Sequence, residues 1–172
     1  MTAPPLIGIA GWKNSGKTTL AVRLIEEFAA RGLVVSSIKH AHHAFQIDDA
    51  DTDSARHRRA GSGQVAIVSS ERWALVTELR DAPEPDFADV VAKLAPCDLV
   101  IVEGYKSQPI PKIEARRSVS REKRALSTED PNVIAVAADH EVAGEIVPVF
   151  SLDDIAGIAD FIAAYLKLDV AW

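Results

Sequence analysis

The sequence of 172 residues contains a single cysteine and no long run of apolar residues. Because Cys97 has no possible partner within the chain, an internal disulfide framework is excluded, and a reducing compartment is favoured. The longest apolar runs, such as Asp98–Val102, are far too short to cross a bilayer. The first residues have no basic segment followed by an apolar stretch, so we expect no signal peptide, a cytoplasmic location and no membrane partner.

An excess of basic charge is also missing. Lys and Arg number 19 against 25 Asp and Glu, which gives a net charge of −6. We therefore expect no general nucleic-acid binding. The segment from Lys106 to Arg124 is an exception, since it holds seven basic and two acidic residues. This basic segment is either a solvated face or a local site for an anionic partner.

Predicted strands and helices alternate along the chain, which indicates an α/β domain over residues 1–172 with a mostly parallel sheet flanked by helices. The predicted strands are Leu6–Ala10, Leu33–Ile38, Gln64–Ser69, Trp73–Thr77, Asp98–Val102, Val133–Ala137 and Val147–Phe150. The predicted helices are Thr18–Arg31, Ser54–Ala60, Asp86–Leu94 and a last one with a capping box of Ser151 and Asp154. Its predicted inner stripe is Ile155, Ile158, Ala159, Ile162, Tyr165 and Leu166. Residues 105–131 give no clear prediction.

Residues 11–20, GWKNSGKTTL, connect the first strand to the first helix. The pattern Gly-x-x-x-x-Gly-Lys-Thr in that context predicts the phosphate-binding loop of a P-loop NTPase-like fold. Glycines allow the backbone to turn its amides towards phosphate oxygens, and the helix N-terminus adds a partial positive charge. Lys17 would reach the β- and γ-phosphates, and the Thr18 hydroxyl would bind Mg²⁺. The predicted nucleotide-binding residues here are Gly11, Asn14, Ser15, Gly16, Lys17, Thr18 and Thr19.

A nucleotide site with Mg²⁺ usually needs an acidic residue at the end of another strand. Asp98 and Glu103 stand at opposite ends of one apolar run. In parallel sheets ligands bind at the carboxyl ends of the strands, so Glu103 is the candidate. We expect it to bind Mg²⁺ through water or to orient an attacking water, while Asp98 caps the far end.

The loop after the second strand is rich in histidine and aspartate. Lys39, His40, His42 and His43 could contact an anion or a metal, since imidazole suits Zn²⁺, or they could be surface residues. No cysteine pair accompanies them, so a structural zinc site is not expected.

Two aspartates follow in the same loop. Asp48 and Asp53 stand where a switch loop would complete the Mg²⁺ shell, which makes Asp53 a catalytic candidate as well. Asp53 could instead cap the helix that carries Arg56 and Arg58, of which Arg56 is a candidate anion contact.

Together these segments resemble the molybdopterin-guanine dinucleotide biosynthesis adapter proteins, the MobB family. The histidine stretch and the Glu-Gly-aromatic-Lys run are more specific than the phosphate loop, which many families share. The segments that carry the resemblance are Gly11–Leu20, Ile38–His43, Asp48, Asp53-Ser54, Ala60-Gly61, Glu71–Leu75, Val102–Lys106, Lys112-Ile113, Val133–Asp139 and the last helix.

The resemblance implies a homodimeric protein that binds GTP with Mg²⁺ and hydrolyses it weakly. The implied partners are the molybdenum cofactor guanylyltransferase and molybdoenzymes. The basic segment, with Lys106 and Lys112 as anion or cofactor contacts, would then meet either molybdopterin or an acidic surface of a partner. One departure concerns the Mg²⁺ loop, where Asp51 replaces a glycine that the family often has. The Asn/Thr-Lys-x-Asp guanine motif is absent, so GTP rests on the resemblance, with Asp139 as a candidate acceptor from guanine.

Two other functions stay open. A small-molecule kinase could use residues 112–124, which hold several arginines, as a lid. A metallochaperone GTPase could use the histidine cluster to bind its metal.

Overall fold

The computed structural model describes residues 3–41, 45, 47, 49 and 51–169. The chain forms two compact units. The sheet unit comprises Met1–His40 and Val91–Trp172, and the hairpin unit comprises Ala41–Val90. A single domain over the whole chain stays a prediction.

The described residues contain eight strands, four α-helices and a short 3₁₀ turn. The strands are β1 Leu6–Ala10, β2 Val35–Lys39, β3 Gln64–Val68, β4 Trp73–Thr77, β5 Leu99–Glu103, β6 Lys112–Arg116, β7 Val133–Ala138 and β8 Val149–Ser151. The helices are α1 Lys17–Ala30, α2 Asp53–Arg59, α3 Phe87–Ala92 and α4 Ile155–Leu166, and the 3₁₀ turn covers Leu126–Thr128. Of the helices in these parts of the chain, none combines the length and the hydropathy that a bilayer crossing requires.

The sheet unit is built on six parallel strands in the order β2-β5-β1-β6-β7-β8. The prediction of a mostly parallel, P-loop NTPase-like sheet flanked by helices is confirmed. Strands β1 and β5 are almost fully buried, which explains their continuous apolar sequences. Strand β6, which the sequence did not predict, lies between β1 and β7 near the centre of the sheet.

Helices α1 and α4 pack against each other over one hydrophobic core of the sheet unit. Leu24 and Phe28 of α1 meet Ile158 and Ile162 of α4 in this core, and all four are fully buried. Burying each such side chain contributes roughly 1.5–3 kcal/mol. The predicted inner stripe of α4 is wrong at Tyr165, which is 53% exposed because it lies at the edge of the stripe.

The start of α4 also differs from the prediction. Asp154 is the N-cap, and its carboxylate accepts a hydrogen bond from the Gly157 amide at 3.1 Å. The predicted capping box is wrong because Ser151 still belongs to β8. By contrast, Asp98 caps the far end of β5 as predicted, since its carboxylate accepts a hydrogen bond from the Val34 amide at 2.7 Å.

The hairpin unit contains α2, the antiparallel pair of β3 with β4, and the first residues of α3. Helix α2 packs against β3, and the opposed pair Val65 and Val76 is buried. Thr52 is the N-cap of α2, because its hydroxyl accepts from the Ala55 amide. The alternative of Asp53 as the cap is therefore wrong, and Asp53 is the first residue of the helix.

Charged residues of β6 hold the following chain segment in place. Glu114 is fully buried, and its carboxylate accepts hydrogen bonds from the amides of Leu126 and Ser127 at 3.0 and 2.9 Å. Arg116 donates to Glu114 at 2.7 Å and to Glu145 at 2.5 Å. Because the buried carboxylate of Glu114 is hydrogen-bonded to two amides and to a guanidinium, its charge is compensated. Burial of an unpaired charge at this place would be very unfavourable.

We expect Glu114→Ala to destabilise the chain by about 3 kcal/mol or more, because two amides and part of the Arg116 charge lose their partner in a buried place. Urea unfolding followed by circular dichroism measures the change. Glu26→Ala is the matched control, since Glu26 is exposed on α1, and its effect should stay within about 0.5 kcal/mol. Equal effects of the two substitutions would contradict the role of the buried network.

Candidate functional site

The loop between β1 and α1 has the backbone geometry that the glycine pattern predicts. Gly11, Asn14 and Gly16 have positive φ angles of 142°, 64° and 90°. A Cβ on Gly11 would lie 2.6 Å from the carbonyl oxygen of Ala115, so only glycine fits there. Gly16 precedes α1 without any side-chain cap, and the first-turn amides of an α-helix have no partner inside the helix. The loop therefore ends in amide donors and the positive end of a 14-residue helix dipole.

Lys17 lies close to the loop that it follows. Its ammonium donates a hydrogen bond to the carbonyl oxygen of Trp12 at 2.5 Å. Partial burial lowers the pKa of Lys17, and the positive charges of Lys106 and Lys39 act in the same direction, against the opposing effect of Glu103. Several cations thus meet beside one carboxylate, an arrangement that favours an anionic ligand.

Glu103 ends β5 beside the first turn of α1. The Thr18 hydroxyl donates a hydrogen bond to its Oε1 at 2.6 Å, and the Glu103 side chain is only 14% exposed. Parallel pairing sets this contact, because Glu103 is opposite Ile9 at the end of β1. The structure therefore brings together Thr18 and Glu103, two of the four residues that the sequence proposed for Mg²⁺.

Lys39 ends β2 and is opposite Glu103 in the sheet register. Its ammonium lies 3.4 Å from Glu103 Oε2 and 3.5 Å from Thr18 Oγ1. The next residue, His40, packs its ring against Tyr105 with 4.5 Å between centroids. A Cβ on Gly104 would lie 2.8 Å from the His40 Cβ, so glycine is required at this turn. The predicted sites at His42, His43 and Asp48 lie outside the described residues.

Trp12 organises part of the basic segment, and sequence reasoning missed it. The Lys106 ammonium lies 3.9 Å from the indole centroid, and the Arg124 guanidinium carbon lies 4.7 Å from it. The indole nitrogen of Trp12 also donates to the Arg124 carbonyl oxygen at 2.7 Å. Cation–π contacts hold both positive charges next to the phosphate loop. Burial lowers the pKa of Lys106, and the neighbouring Arg124 lowers it further.

The Lys112 side chain is buried in the sheet unit, contrary to its predicted role. Its side chain is 2% exposed, and its ammonium donates to Gln108 O at 2.6 Å and to Asp130 Oδ2 at 2.7 Å. The prediction that Lys112 contacts an anion or cofactor is wrong, because the buried ammonium is already paired. A kinase lid over residues 112–124 is wrong for its first part as well, since Lys112–Arg116 is an inner strand of the sheet.

Asp139 follows β7 and lines a cavity of about 200 Å³ next to the start of α1. Its carboxylate accepts hydrogen bonds from the Ser118 amide at 2.7 Å and from His140 at 2.9 Å. The bond from His140, followed by those from Ser118 and Arg117, lowers the pKa of Asp139 to about 2, although burial opposes the shift. The other residues that line the cavity are Gly16, Thr19, Leu20, Arg23, Arg117, Leu152 and Asp153.

Asp53 and Arg56 lie on α2 in the hairpin unit. Their side chains are exposed and lie 3.5 Å apart. The Mg²⁺ and catalytic roles of Asp53 and the anion contact of Arg56 stay predictions.

The chemistry of the donors suits Mg²⁺ better than a transition metal. Thr18 and Glu103 offer a hydroxyl and a carboxylate, which are hard oxygen donors. Mg²⁺ typically takes one or two such ligands together with water and substrate phosphates. Among the residues that the structure describes, no group of three or more His, Cys, Asp or Glu side chains is placed to hold a metal ion.

Comparison with known proteins identifies the family. The model of the family described as Molybdopterin guanine dinucleotide synthesis protein B, MobB, matches residues 6–139. The chain belongs to the MobB family. Membership confirms the resemblance seen in the sequence, and it places the chain in the biosynthesis of molybdopterin guanine dinucleotide.

Curated relatives of this MobB-family chain carry a consistent name, molybdopterin-guanine dinucleotide biosynthesis adapter protein. The relative from Haemophilus influenzae is 42% identical over 165 residues, which cover 94% of this chain and 89% of the relative. The relative from Escherichia coli is 35% identical over 168 residues, with coverages of 96% and 95%. A crystal structure of a MobB homologue from Bacillus stearothermophilus is 27% identical, with a TM-score of 0.67 and coverages of 94% and 97%.

We expect His140→Ala to raise the pKa of Asp139 from about 2 towards its ordinary value, because the largest stabilising bond to the carboxylate is lost. NMR titration of the Asp139 carboxyl carbon measures this pKa in the wild type and in the variant. The stabilisation from this carboxylate should be complete above the unfolded-state pKa of about 3.9 and disappear as the pH falls through about 2.

His57→Ala, in the hairpin unit, is the control and should leave the Asp139 titration unchanged. A pKa of Asp139 that does not respond to His140→Ala would show that this bond does not set it.

Proposed function

We propose that this MobB-family chain is a GTP-binding adapter that assists the guanylation of molybdopterin and hydrolyses GTP weakly. The observation that carries the proposal is the contact of Thr18 with Glu103 at 2.6 Å, next to the glycine loop that begins at Gly11. A phosphate loop and a strand-end carboxylate that share a threonine are what a nucleotide with Mg²⁺ requires.

Different residues of the site would bind different phosphate groups of the nucleotide. The amides around Asn14, Ser15 and Gly16 would receive the inner phosphate oxygens, and Thr19 would contact a further phosphate. Lys17 would leave its bond to the loop carbonyl for the β- and γ-phosphates. Thr18 and Glu103 would hold Mg²⁺, which neutralises part of the phosphate charge when bound.

The guanine base would occupy the cavity beside Asp139. This cavity adjoins Gly16 and Thr19 at the start of α1, so a nucleotide held by the loop reaches it without a long gap. The carboxylate of Asp139 is ionised, and it can accept from guanine N1 and N2, which adenine does not offer as donors.

The basic side chains that Trp12 holds would face an anionic partner. Lys106 and Arg124 keep their positive charges beside the loop, where molybdopterin or an acidic surface of the guanylyltransferase would pair with them. A homodimer that delivers GTP to the guanylyltransferase, or cofactor to molybdoenzymes, fits the adapter names of the relatives.

Replacement of Lys17 by alanine should lower the affinity for GTP by roughly a hundredfold or more, because a charge-assisted contact to two phosphates is lost. Isothermal titration calorimetry in the presence of Mg²⁺ measures the loss. Lys93→Ala is the matched control, since Lys93 is an exposed lysine outside the loop. Unchanged affinity after Lys17→Ala would refute the assignment of the phosphate site.

Glu103→Gln should weaken GTP binding roughly tenfold when Mg²⁺ is present and much less when the metal is chelated. Glutamine keeps an acceptor for the Thr18 hydroxyl but removes the charge. The comparison of titrations with Mg²⁺ and with EDTA measures the difference, and Glu26→Gln serves as the control. An equal loss in both conditions would contradict the role of Glu103 at the metal.

The pathway itself is tested by affinity capture from a bacterial extract with GTP and Mg²⁺. Recovery of a molybdenum cofactor guanylyltransferase or a molybdoenzyme, and its loss with the Lys17→Ala variant, would support the adapter function. Capture of neither protein by the GTP-bound chain would count against it.

A further inference from the structure

Lys39 occupies an unusual position at the phosphate site. Its ammonium lies 3.5 Å from Thr18 Oγ1 and 3.4 Å from Glu103 Oε2. These two side chains are also the Mg²⁺ ligands under the proposed function, on which this inference rests. The ammonium of one lysine thus lies near both side chains that would bind the metal.

The pairing of strands in the sheet fixes the backbone position of Lys39 relative to Glu103. Lys39 and Glu103 are opposite each other in the parallel pairing of β2 with β5. The backbone continues the pairing beyond the strand, since the His40 amide donates to the Glu103 carbonyl oxygen at 2.9 Å. Because both main chains are fixed, the Lys39 ammonium can reach the carboxylate without a change of fold.

The ammonium is nevertheless held loosely. Its distances to Thr18 and Glu103 exceed the 2.7–2.9 Å of a strong charge-assisted hydrogen bond, and the Lys39 side chain is 61% exposed. An exposed ion pair of this kind is weak. A divalent ion at the same two oxygens would repel the ammonium and displace it.

We propose that Lys39 is a substitute for Mg²⁺: its ammonium supplies the positive charge at Thr18 and Glu103 when the metal is scarce, and yields that place to Mg²⁺. Lys39 is thus a positioning residue that lowers the dependence of nucleotide binding on Mg²⁺.

The proposal predicts a difference between two conditions rather than a simple loss. Lys39→Met should weaken GTP binding roughly tenfold in EDTA, where the ammonium is the main cation at Glu103. With excess Mg²⁺ the loss should be clearly smaller, because the metal supplies the charge. Titration of GTP by calorimetry measures, in each condition, the ratio of the variant's dissociation constant to that of the wild type.

Two further variants serve as controls. Lys39→Arg keeps the charge and should retain most of the affinity in EDTA. Lys93→Met removes an exposed lysine elsewhere and should change neither ratio. An equal loss with Lys39→Met in both conditions, or no loss in either, would overturn the proposal.

Metal binding without nucleotide gives an independent measurement. Mn²⁺ is the paramagnetic probe for the Mg²⁺ position, and electron paramagnetic resonance reports its free fraction. Lys39→Met should bind Mn²⁺ severalfold more tightly than the wild type, since the competing cation is gone, and equal Mn²⁺ affinities would overturn the competition. Failure of the wild type to bind GTP at all would overturn the proposed function, whereas this measurement would still test Lys39.

Discussion

The parallel pairing of β5 with β1 is the constraint on which the whole site depends. Thr18 and Glu103 are 85 residues apart in the sequence, yet their side chains are joined by a hydrogen bond of 2.6 Å. The pairing achieves this because both strands run in the same direction and end at the same edge, where α1 begins. The buried apolar residues of both strands fix the register, so a shift of one residue would turn Glu103 away from the loop.

The basic segment shows how a run of similar charges can serve two purposes. Lys112 and Arg116 are neutralised inside the sheet unit by Asp130, Glu114 and Glu145. Lys106 and Arg124 instead stack on the indole of Trp12 beside the loop. The alternative of a solvated face is therefore wrong for Lys112 and Arg116, which are paired inside the sheet unit, and an anion-binding role of Lys106 and Arg124 stays a prediction. The hydrogen bonds that Glu114 accepts from the Leu126 and Ser127 amides hold the backbone just after Arg124, whose guanidinium also lies 3.1 Å from Glu129 Oε1.

Sequence reasoning succeeded where a local pattern carries the information. The glycine spacing predicted the backbone geometry of the loop, and the rule that ligands bind at strand ends correctly placed Glu103 beside the loop, while the role of Glu103 stays a prediction. Most boundaries of predicted elements lie within two residues of the observed ones. Strand β6 was missed because its sequence, KIEAR, alternates charged and apolar residues and reads as a surface segment. Its burial depends on Asp130 and Glu145, which are distant in sequence, and the contact of Trp12 with Arg124 has no local signal either.

The contacts of Glu103 also bear on its two predicted roles. A general base for water needs a carboxylate oxygen that faces the attacking water. Here Oε1 accepts from Thr18 and Oε2 faces Lys39, so both oxygens are turned towards the cation position. This geometry favours metal binding over the activation of water. Charges that bind phosphate equally well before and during reaction raise affinity without raising the rate. Under the proposed function, a site with several lysines beside such a carboxylate is suited to holding a nucleotide for a partner, which is what an adapter needs.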